Sequence, residues 1–530
     1  MLIEDIIAII VWVILSVVAL VAGMALLSVQ RRVTRQRYFQ HLDEARHRVQ
    51  ELLDPLYENS SSAEAAVAAL QVLRASPERR ALEEAVLRHA RARKDLPLTR
   101  EIAKRLGWID RWSEVLRSRA PQPTGTTAAM LADLGDEYRP PSLLRRLVLR
   151  TRASFVERCR AADKLGQIPT PQGMWALLVG ATDPHPEVQE VCLRYLGQLA
   201  DPATLPVLIE ELIEVIEGRS EQSVRNIKTA LVQFRLEDIG AFLGALQHSN
   251  RRIRFFATDI IREIAERHAT TAVLGKNDFS PEIYRLFTER FYLDESPDVR
   301  ARSAVVISQF HDDAAIEILR KLLEDEAWFV RMHATRAAAD KMYLPLATNL
   351  VQRLTDSNWL VRESAAKALT QMGNMGVDFV LEAFINSQDR YANEQICEEL
   401  QRGGLLVAML DNLPAAGTRA ALSDSALLGG ITLSPEEERR AIAVQVVRKM
   451  VSVGKITMLL MLLRGPIRPD VKLLVLRALG NCYTPDCLET FQICAETDPD
   501  PQVREVALAS FQAALEQATE AALAAESTGD

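Results

Sequence analysis

Four aspartate–arginine pairs with one internal spacing are the residues of this chain best suited to chemistry. In each pair the aspartate precedes the arginine by six residues: Asp294 and Arg300, Asp325 and Arg331, Asp356 and Arg362, Asp498 and Arg504. A carboxylate beside a guanidinium can act as an acid–base dyad, and a row of arginines can bind phosphate. The first three pairs, however, recur every 31 residues, which a scaffold requires and an active site does not. The spacing therefore predicts a structural role, with each aspartate capping free amides at the start of a helix.

The fourth position of the same motif separates two neighbouring copies from the others. This position is Trp328 in one copy and Trp359 in the next, whereas three other copies have proline there. The residues that follow the tryptophans are Phe329 and Leu360. Two such steps would stand about 10 Å apart along one edge, which is the usual distance between packed helices. If exposed, these four residues form a candidate partner-binding surface. The alternative is that each ring folds over its own inter-helix turn.

Motifs for other kinds of chemistry are missing from the sequence. It contains no P-loop, no G-x-G-x-x-G and no H-E-x-x-H, and its eight histidines show no metal-ligand pairing on one helix face. The six cysteines form no C-x-x-C pair, and buried hydrophobic positions are expected for them. His311-Asp312-Asp313 comes closest to a site, but it falls at a turn between predicted helices. We therefore predict no catalytic residue, no cofactor, no metal and no small-molecule substrate.

The repeat period of the motif predicts the secondary structure around it. Apolar residues lie on helical spacing between the copies, and the central valine or isoleucine recurs at intervals of 29 to 46 residues. Such a period predicts an all-α fold, a stack of helix pairs over residues 143–515. Two longer intervals indicate insertions, at about 270–280 and 403–435.

The motif resembles that of HEAT repeats, in the version also called PBS-lyase HEAT-like repeats. Besides Asp-x4-Val-Arg, the resemblance rests on the alanine- and leucine-rich runs at 366–373 and 476–480. It implies an α-solenoid in which the motif aspartates and arginines line up between neighbouring repeats as a ladder. Gln189, Ile253 and Lys472 depart from the pattern, so weaker junctions are expected there.

Residues 6–29 form a run of 24 residues without a charge. At 1.5 Å per residue it is long enough to cross a hydrocarbon core of ~30 Å. Glu4 and Asp5 precede the run, whereas Arg31, Arg32, Arg35 and Arg37 follow it. A secretory signal peptide has the opposite order, so an uncleaved single-pass anchor in the inner (cytoplasmic) membrane is expected. Because lysine and arginine remain on the cytoplasmic side, the N-terminus is expected outside and the solenoid in the cytoplasm.

The expected domain organisation has five segments. They are a transmembrane anchor at 1–30, a juxtamembrane helical region at 31–120, a connector at 121–142, the solenoid at 143–515 and a flexible tail at 516–530. Within the juxtamembrane region, an amphipathic helix is predicted at 34–57, ending near Pro55, and three more helices are predicted at 63–75, 78–93 and 99–118.

Charge is distributed unevenly along the chain. Residues 31–160 contain 26 Lys and Arg against 17 Asp and Glu, whereas residues 161–530 contain 37 against 52. The acidic remainder would repel nucleic acid, so no nucleic-acid partner is expected. The basic excess includes a cluster that could lie on anionic lipid or an acidic partner, or could be ordinary surface charge. The cluster consists of Arg145, Arg146, Arg150 and Arg152, with Arg139, Arg158 and Arg160 beside them.

These observations favour a membrane-anchored cytoplasmic scaffold or adaptor that binds another protein. The segment from Gly107 to Ser118 is similar to the pre-repeat segment of bacterial anchor-plus-HEAT proteins. That resemblance implies a membrane glycosyltransferase or another envelope-assembly enzyme as the partner. The alternative is a HEAT-like enzyme, either bilin lyase-like or DNA glycosylase-like. The acidic balance and the anchor oppose a glycosylase, and assays for bilin transfer and base excision would separate both enzymes from a scaffold.

Overall fold

The computed structural model describes residues 2–58, 76–92, 95–119, 153–269, 279–402, 404–413, 435–480 and 482–527, with three single positions between 58 and 76. Within these residues every regular element is a helix, so the all-α prediction is confirmed. The connector predicted at 121–142 and most of the two predicted insertions lie outside the described residues.

The chain divides into two compact units, Met1–Ala245 and Leu246–Asp530. The first unit contains α1 (Leu2–Glu58), α2 (Ser76–Arg91), α3 (Leu96–Arg105), α4 (Trp108–Leu116), α5 (Phe155–Gln167), α6 (Pro171–Gly180), α7 (Pro186–Leu199), α8 (Leu205–Ile216) and α9 (Val224–Leu231). One-turn helix α10 (Leu243–Leu246) lies at the division. Short 3-10 helices cover Pro202–Thr204, Leu236–Phe242, Phe291–Leu293, Ser308–Phe310 and Leu344–Leu346.

The second unit continues the series of helices. It contains α11 (Arg251–Ala269), α12 (Pro281–Glu289), α13 (Pro297–Ile307), α14 (Asp313–Leu322), α15 (Trp328–Asp340), α16 (Ala347–Arg353), α17 (Trp359–Gln371), α18 (Gly373–Asn386), α19 (Arg390–Arg402) and α20 (Leu405–Asp411). After the second gap follow α21 (Pro435–Val453), α22 (Thr457–Arg464), α23 (Pro469–Leu479), α24 (Pro485–Thr497) and α25 (Pro501–Ser527).

Many of these helices begin at residues that suit a first turn. Eight begin with proline, whose missing N–H falls where a helix leaves amides unpaired. Helix α5 begins with a capping box, in which the Ser154 hydroxyl accepts from the Glu157 amide and the Glu157 carboxylate accepts from the Ser154 amide. Helix starts are therefore fixed largely by local sequence.

In the first unit, α1 packs against α2 through its C-terminal half. Leu42, Ala45, Val49 and Leu53 lie on one face of α1 at helical spacing and are almost fully buried. Helix α4 contacts α5 and α6. Its two tryptophans are buried, so they contribute to the core of this unit.

In the second unit, α11, α13, α15, α17 and α19 lie side by side in chain order, each in contact with the next. The central motif residues Ile253, Val299, Val330 and Val361 are fully buried between them. Helices α14 and α16 form the outer partners of α15 and α17. The second unit is therefore a stack of helix pairs, as the 31-residue period predicts.

Three helix boundaries differ from the expected ones. The helix predicted at 99–118 is interrupted near Gly107, whose φ of 66° lies in the left-handed region. Helix α1 continues through Pro55 to Glu58. The last helix extends to Ser527, so most of the tail expected to be flexible from residue 516 is helical.

Among the helices whose residues are described, none is long and apolar enough to span a membrane. The apolar run 6–29 belongs to α1, but most of its side chains lie outside the described residues. The predicted anchor therefore stays a prediction.

Candidate docking edge

Salt bridges join the motif arginine of one repeat to the motif aspartate of the next. Four guanidinium groups each donate two hydrogen bonds to one carboxylate, with N–O distances between 2.7 and 3.0 Å. The pairs are Arg158–Asp183, Arg254–Asp294, Arg300–Asp325 and Arg331–Asp356. Such bidentate pairs fix both the distance and the relative orientation of neighbouring helices. The partners lie in different repeats, so no dyad forms within one copy.

The same side chains also stabilise the turn inside each repeat. Arg300 Nη1 donates to the carbonyl oxygen of Asp294 at 2.9 Å, and Arg331 Nη1 donates to that of Asp325 at 2.7 Å. Asp325 Oδ1 in turn accepts from the amide of Ala327 at 2.9 Å, the residue just before α15. The aspartate therefore binds the amide of the N-cap residue. In the last copy, Arg504 Nη1 donates to the carbonyl oxygen of Asp498, as Arg300 and Arg331 do in theirs.

The three copies that depart from the motif behave differently from one another. Lys472 Nζ replaces arginine and contacts Asp498 at 2.6 Å. In the copy containing Ile253, the next residue, Arg254, forms the salt bridge, and His248 Nδ1 accepts the turn amide in place of aspartate. Gln189 keeps the bond inside its own repeat, to the carbonyl oxygen of Asp183 at 2.7 Å. Two of the three junctions expected to be weaker therefore contain a salt bridge.

The electrostatics of the ladder are clearest at Asp356. Burial opposes its negative charge, but hydrogen bonds from Arg331 and from the Asn358 amide outweigh it and hold the pKa of this carboxyl below its ordinary value. The hydrogen bonds that Arg331 donates to Asp356 likewise raise the pKa of Arg331. Asp356 is therefore ionised throughout the neutral range.

Arg362 has no aspartate to pair with in the next repeat. The position of the next aspartate is occupied by Ser387, 25 residues further on. The Arg362 guanidinium instead lies over the ring of Tyr391, 5.1 Å from its centroid, while Nη1 donates to the carbonyl oxygen of Asp356 at 2.7 Å. A cation–π contact replaces the salt bridge between α17 and α19.

Trp328 and Trp359 lie on the surface at the first residues of α15 and α17. Their exposed fractions are 39% and 58%, whereas Phe329 and Leu360 are half-buried. The Trp328 ring contacts that of Phe329 edge to face, with centroids 5.7 Å apart. Both indoles therefore offer apolar surface to solvent, which a ring folded fully over its turn would not.

A third exposed aromatic residue, Tyr391, extends this surface. It is the second residue of α19, and 61% of it is exposed. Because α15, α17 and α19 pack in sequence, Trp328, Trp359 and Tyr391 stand at the same end of three neighbouring helices, although Tyr391 is equivalent in position to Phe329 and Leu360. We call these three residues the aromatic row. Sequence reasoning missed Tyr391 because its copy is degraded, although an aromatic residue at the position of Phe329 was the available signal.

Exposed carboxylates lie at the turns before α13 and α15. Glu326, two residues before Trp328, has 87% of its side chain exposed, and Glu295 in the preceding turn has 77%. Asp298 and Glu324 are exposed as well. Arg300 reaches Glu326 at 3.2 Å and Arg254 reaches Glu295 at 3.0 Å, but these exposed ends remain largely in water. The row therefore begins at an acidic surface.

The other candidates from the sequence have different positions. Arg145, Arg146, Arg150 and Arg152 lie outside the described residues. Arg158, grouped with them by sequence, is buried in its salt bridge with Asp183, so it cannot face lipid.

The His311-Asp312-Asp313 segment has a structural role at the start of α14. Asp312 caps that helix by accepting from the Ala315 amide at 2.8 Å, and it also accepts from the Tyr284 hydroxyl. Burial, followed by the charge of Lys341, lowers the pKa of His311. Across the described part of the chain, no group of three His, Cys, Asp or Glu side chains could hold a metal ion.

Comparison with known proteins identifies the repeats. A family described as "HEAT repeats" matches residues 286–349, and one described as "HEAT repeat" matches residues 346–375. These matches cover the helices that carry Trp328 and Trp359. No curated protein matches the chain.

Three solved structures share low similarity with the chain. Human deoxyhypusine hydroxylase in complex with glycerol is 18% identical over 52% of this chain and 94% of its own, with a TM-score of 0.21. An engineered protein is 17% identical over 74% and 99%, with a TM-score of 0.28. A Kap95:Nup1 complex is 13% identical over 88% and 70%, with a TM-score of 0.30. TM-scores this low do not support a shared overall structure.

The family matches, the 31-residue period and the ladder agree with one another. The part of the chain from α13 to α17 pairs successive helices through one repeated set of hydrogen bonds. Residues 286–375 therefore contain HEAT repeats, in a chain whose described regular elements are all helices.

Proposed function

We propose that this protein is a scaffold that binds another protein through the aromatic row. The observation that supports this most directly is the exposure of Trp328 and Trp359 at neighbouring positions of a hydrogen-bonded frame. Tryptophan is enriched among the residues that dominate binding energy, and a rigid frame lowers the entropy lost on association. The repeats hold the two rings in fixed positions, and the rings make the contact with the partner.

The same proposal includes a membrane anchor and a cytoplasmic location. The uncharged run 6–29 supports it, together with the arginines that follow the run. Helix α1 has 57 residues, and its second half packs on α2. An anchor at its start would therefore connect to the first unit through one continuous helix. The partner we propose is a membrane enzyme of envelope assembly, such as a glycosyltransferase, and we propose no catalytic role for the chain itself.

Crosslinking in native membranes tests partner binding at the row. A photoreactive amino acid replaces Leu360, beside the row. The comparison variant carries it at Lys367, an exposed position later in α17. We expect a discrete crosslinked protein from position 360 that disappears when Trp328→Ala and Trp359→Ala are combined. The thermal midpoint of the double variant should fall only slightly, since neither ring lies in the core and their exposed fractions are 39% and 58%.

A control replaces two exposed apolar residues outside the first turns of α15, α17 and α19. Met342→Ala with Met375→Ala removes side chains that are 65% and 57% exposed. This control should retain the crosslinked partner. Equal loss in both double variants, or a large drop in thermal midpoint for the tryptophan variant alone, contradicts the proposal. Bilin transfer or base excision by the purified protein would contradict the non-catalytic role.

A further inference from the structure

We propose that Cys482 and Cys487 form a modification site, at which a low-molecular-weight disulfide converts the two thiols into one reversible disulfide within the chain. The site lies in the second unit, between the end of α23 and the first turn of α24, and it does not depend on the aromatic row. The inference is supported by the distance between the two sulfur atoms, by their unequal exposure and by the capping of α24.

The sulfur atoms of the two cysteines are in direct contact. Cys487 Sγ donates to Cys482 Sγ at 3.2 Å. A disulfide bond is about 2.05 Å long, so the two atoms need to approach by only about 1.1 Å. Cys482 lies outside both helices, so rotation of its side chain can supply this movement while α24 stays in place. Across the described part of the chain, no hydrogen bond joins any other two of the six cysteine sulfur atoms.

Solvent reaches only one of the two thiols. Cys482 is half-buried, whereas Cys487 is fully buried in the first turn of α24. Burial is also the main cause that raises the pKa of the Cys487 thiol to about 11, so this thiol is protonated at neutral pH. An oxidant therefore meets Cys482 first, and Cys487 is the resolving thiol behind it.

The two thiols and one small disulfide give a balanced exchange reaction. The Cys482 thiolate attacks one sulfur of the small disulfide, which forms a mixed disulfide at Cys482 and releases one small thiolate. The Cys487 sulfur then attacks the Cys482 sulfur and releases the second small thiolate, which takes the Cys487 proton. The cysteine pair thus loses two electrons and two protons, and the oxidant is reduced to two thiols. An excess of the small thiol reverses both steps.

The bridge fixes the start of α24. Thr484 is the N-cap residue of this helix, but its side chain makes no capping hydrogen bond to the first turn. The backbone supplies hydrogen bonds there, among them one from the Cys487 amide to the Thr484 carbonyl oxygen at 3.0 Å. A disulfide between Cys482 and Cys487 encloses Thr484 and ties the preceding segment to the helix. In a cytoplasm that keeps thiols reduced, which is the location proposed above, the dithiol is the resting form.

Alkylation followed by mass spectrometry tests the inference on the full-length protein in lipid nanodiscs. The protein is equilibrated with glutathione disulfide, denatured with N-ethylmaleimide and digested with trypsin, which releases residues 478–504 with three cysteines in one peptide. We expect this peptide to carry one alkyl group, on Cys494, and a disulfide between Cys482 and Cys487. Excess reduced glutathione should restore three alkyl groups. A peptide that keeps three alkyl groups, carries only a glutathione adduct or has a bridge to Cys494 overturns the inference.

Single variants assign the roles of the two thiols. Cys487→Ala leaves Cys482 without its resolving thiol, so the glutathione adduct on Cys482 should become about tenfold more abundant than in the parent. Cys482→Ala should leave Cys487 unmodified in the folded protein, because solvent does not reach it. Cys494→Ala is the control and should retain the bridge. An adduct on Cys487 in Cys482→Ala, or equal adduct levels in the parent and Cys487→Ala, contradicts the proposed order of reaction.

Hydrogen–deuterium exchange measures the effect of the bridge on α24. In the parent, oxidation should slow exchange of the amides of residues 482–490 by about tenfold. In Cys482→Ala, glutathione disulfide should leave exchange unchanged. Equal exchange in the oxidised and reduced parent would show that the bridge does not fix the start of α24.

Discussion

At the residue scale, each ladder aspartate bonds to two parts of the stack. The carboxylate of Asp356 accepts from Arg331 in the preceding repeat and from the Asn358 amide in its own turn. One side chain thus sets both the start of α17 and the position of that helix against α15.

Removing that carboxylate should destabilise this part of the stack strongly. Asp356→Ala leaves the largely buried Arg331 guanidinium without its partner, which costs about 3 kcal/mol in comparable pairs. Hydrogen–deuterium exchange of α15 and α17 measures the local loss of stability. Glu326→Ala, at an exposed carboxylate, should change exchange little. Similar protection in both variants would show that the salt bridge is not a determinant of stability.

His333 on α15 should make stability depend on pH in the mildly acidic range. Burial, then the charges of Arg302 and Arg336, lowers the pKa of His333 to about 4. In the unfolded chain histidine titrates near about 6.5, so the unfolded state binds more protons between these values. Stability should therefore fall as the pH decreases from about 6.5 to about 4.

His333→Gln removes the titrating group and provides the comparison for this pH effect. The difference in unfolding free energy between parent and variant should change across that interval and be constant above about pH 7.5. Denaturant titrations at several pH values measure it. A difference that does not vary with pH would mean that His333 is not held neutral in the folded protein.

Some residue-scale features could be predicted from the sequence and others could not. The motif pairs were evident because their spacing repeats, and the ladder contacts follow the arrangement implied by HEAT proteins. The role of Arg158 was misread, because it lies in an arginine-rich stretch and its aspartate is 25 residues away. Exposure of the tryptophans could not be predicted, since the same spacing fits a ring folded over its turn.

At the element scale, helix starts were more predictable than helix ends. Prolines and capping residues act locally, so their positions can be read directly. The break between α3 and α4 was not predicted, because apolar residues keep helical spacing across Gly107 and only its positive φ interrupts the helix. The junction of Arg254 with Asp294 was also missed, since the insertion separates the two residues by 40 positions.

Close packing in the first unit gives a test at this scale. A Cβ atom on Gly197 of α7 would stand 2.8 Å from the Cα atom of Ala230 in α9, so the two backbones would have to separate. Gly197→Ala should lower the unfolding free energy by about 1–3 kcal/mol despite its better helix propensity. Gly240→Ala is the control, because nothing lies within 4 Å of its added Cβ. A Gly197→Ala variant as stable as the parent would show that α7 and α9 are not in tight contact.

At the scale of the whole molecule, the repeat pattern predicts a stack but not its division. The chain forms two compact units, although the sequence pattern continues from 143 to 515 without marking residue 245. Compactness depends on how many contacts cross a boundary, and a pattern of motifs carries little information about that. The proposed anchor likewise depends on hydropathy and charge order alone.

Membrane association of the full chain should depend on residues 6–29. We expect the protein to sediment with membranes and to resist alkaline carbonate, because a buried apolar span is not held by charge. Deleting 6–29 should release it. Exchanging the arginines that follow the run for glutamate should keep the chain in the membrane but change its orientation, as protease accessibility in spheroplasts would report. A full-length chain recovered in the supernatant would rule out the anchor.

The cation–π contact between Arg362 and Tyr391 has a mechanical consequence. Every other junction from α11 to α17 is closed by a bidentate salt bridge, while the step to α19 has the cation–π contact and one longer ion pair, between Arg402 and Glu363 at 3.7 Å. When the stack is stretched, we expect this step to separate first, because it lacks the bidentate salt bridge that fixes the others. A ligand that contacts both Trp359 and Tyr391 would hold α17 and α19 together, so binding would also stiffen this step of the stack.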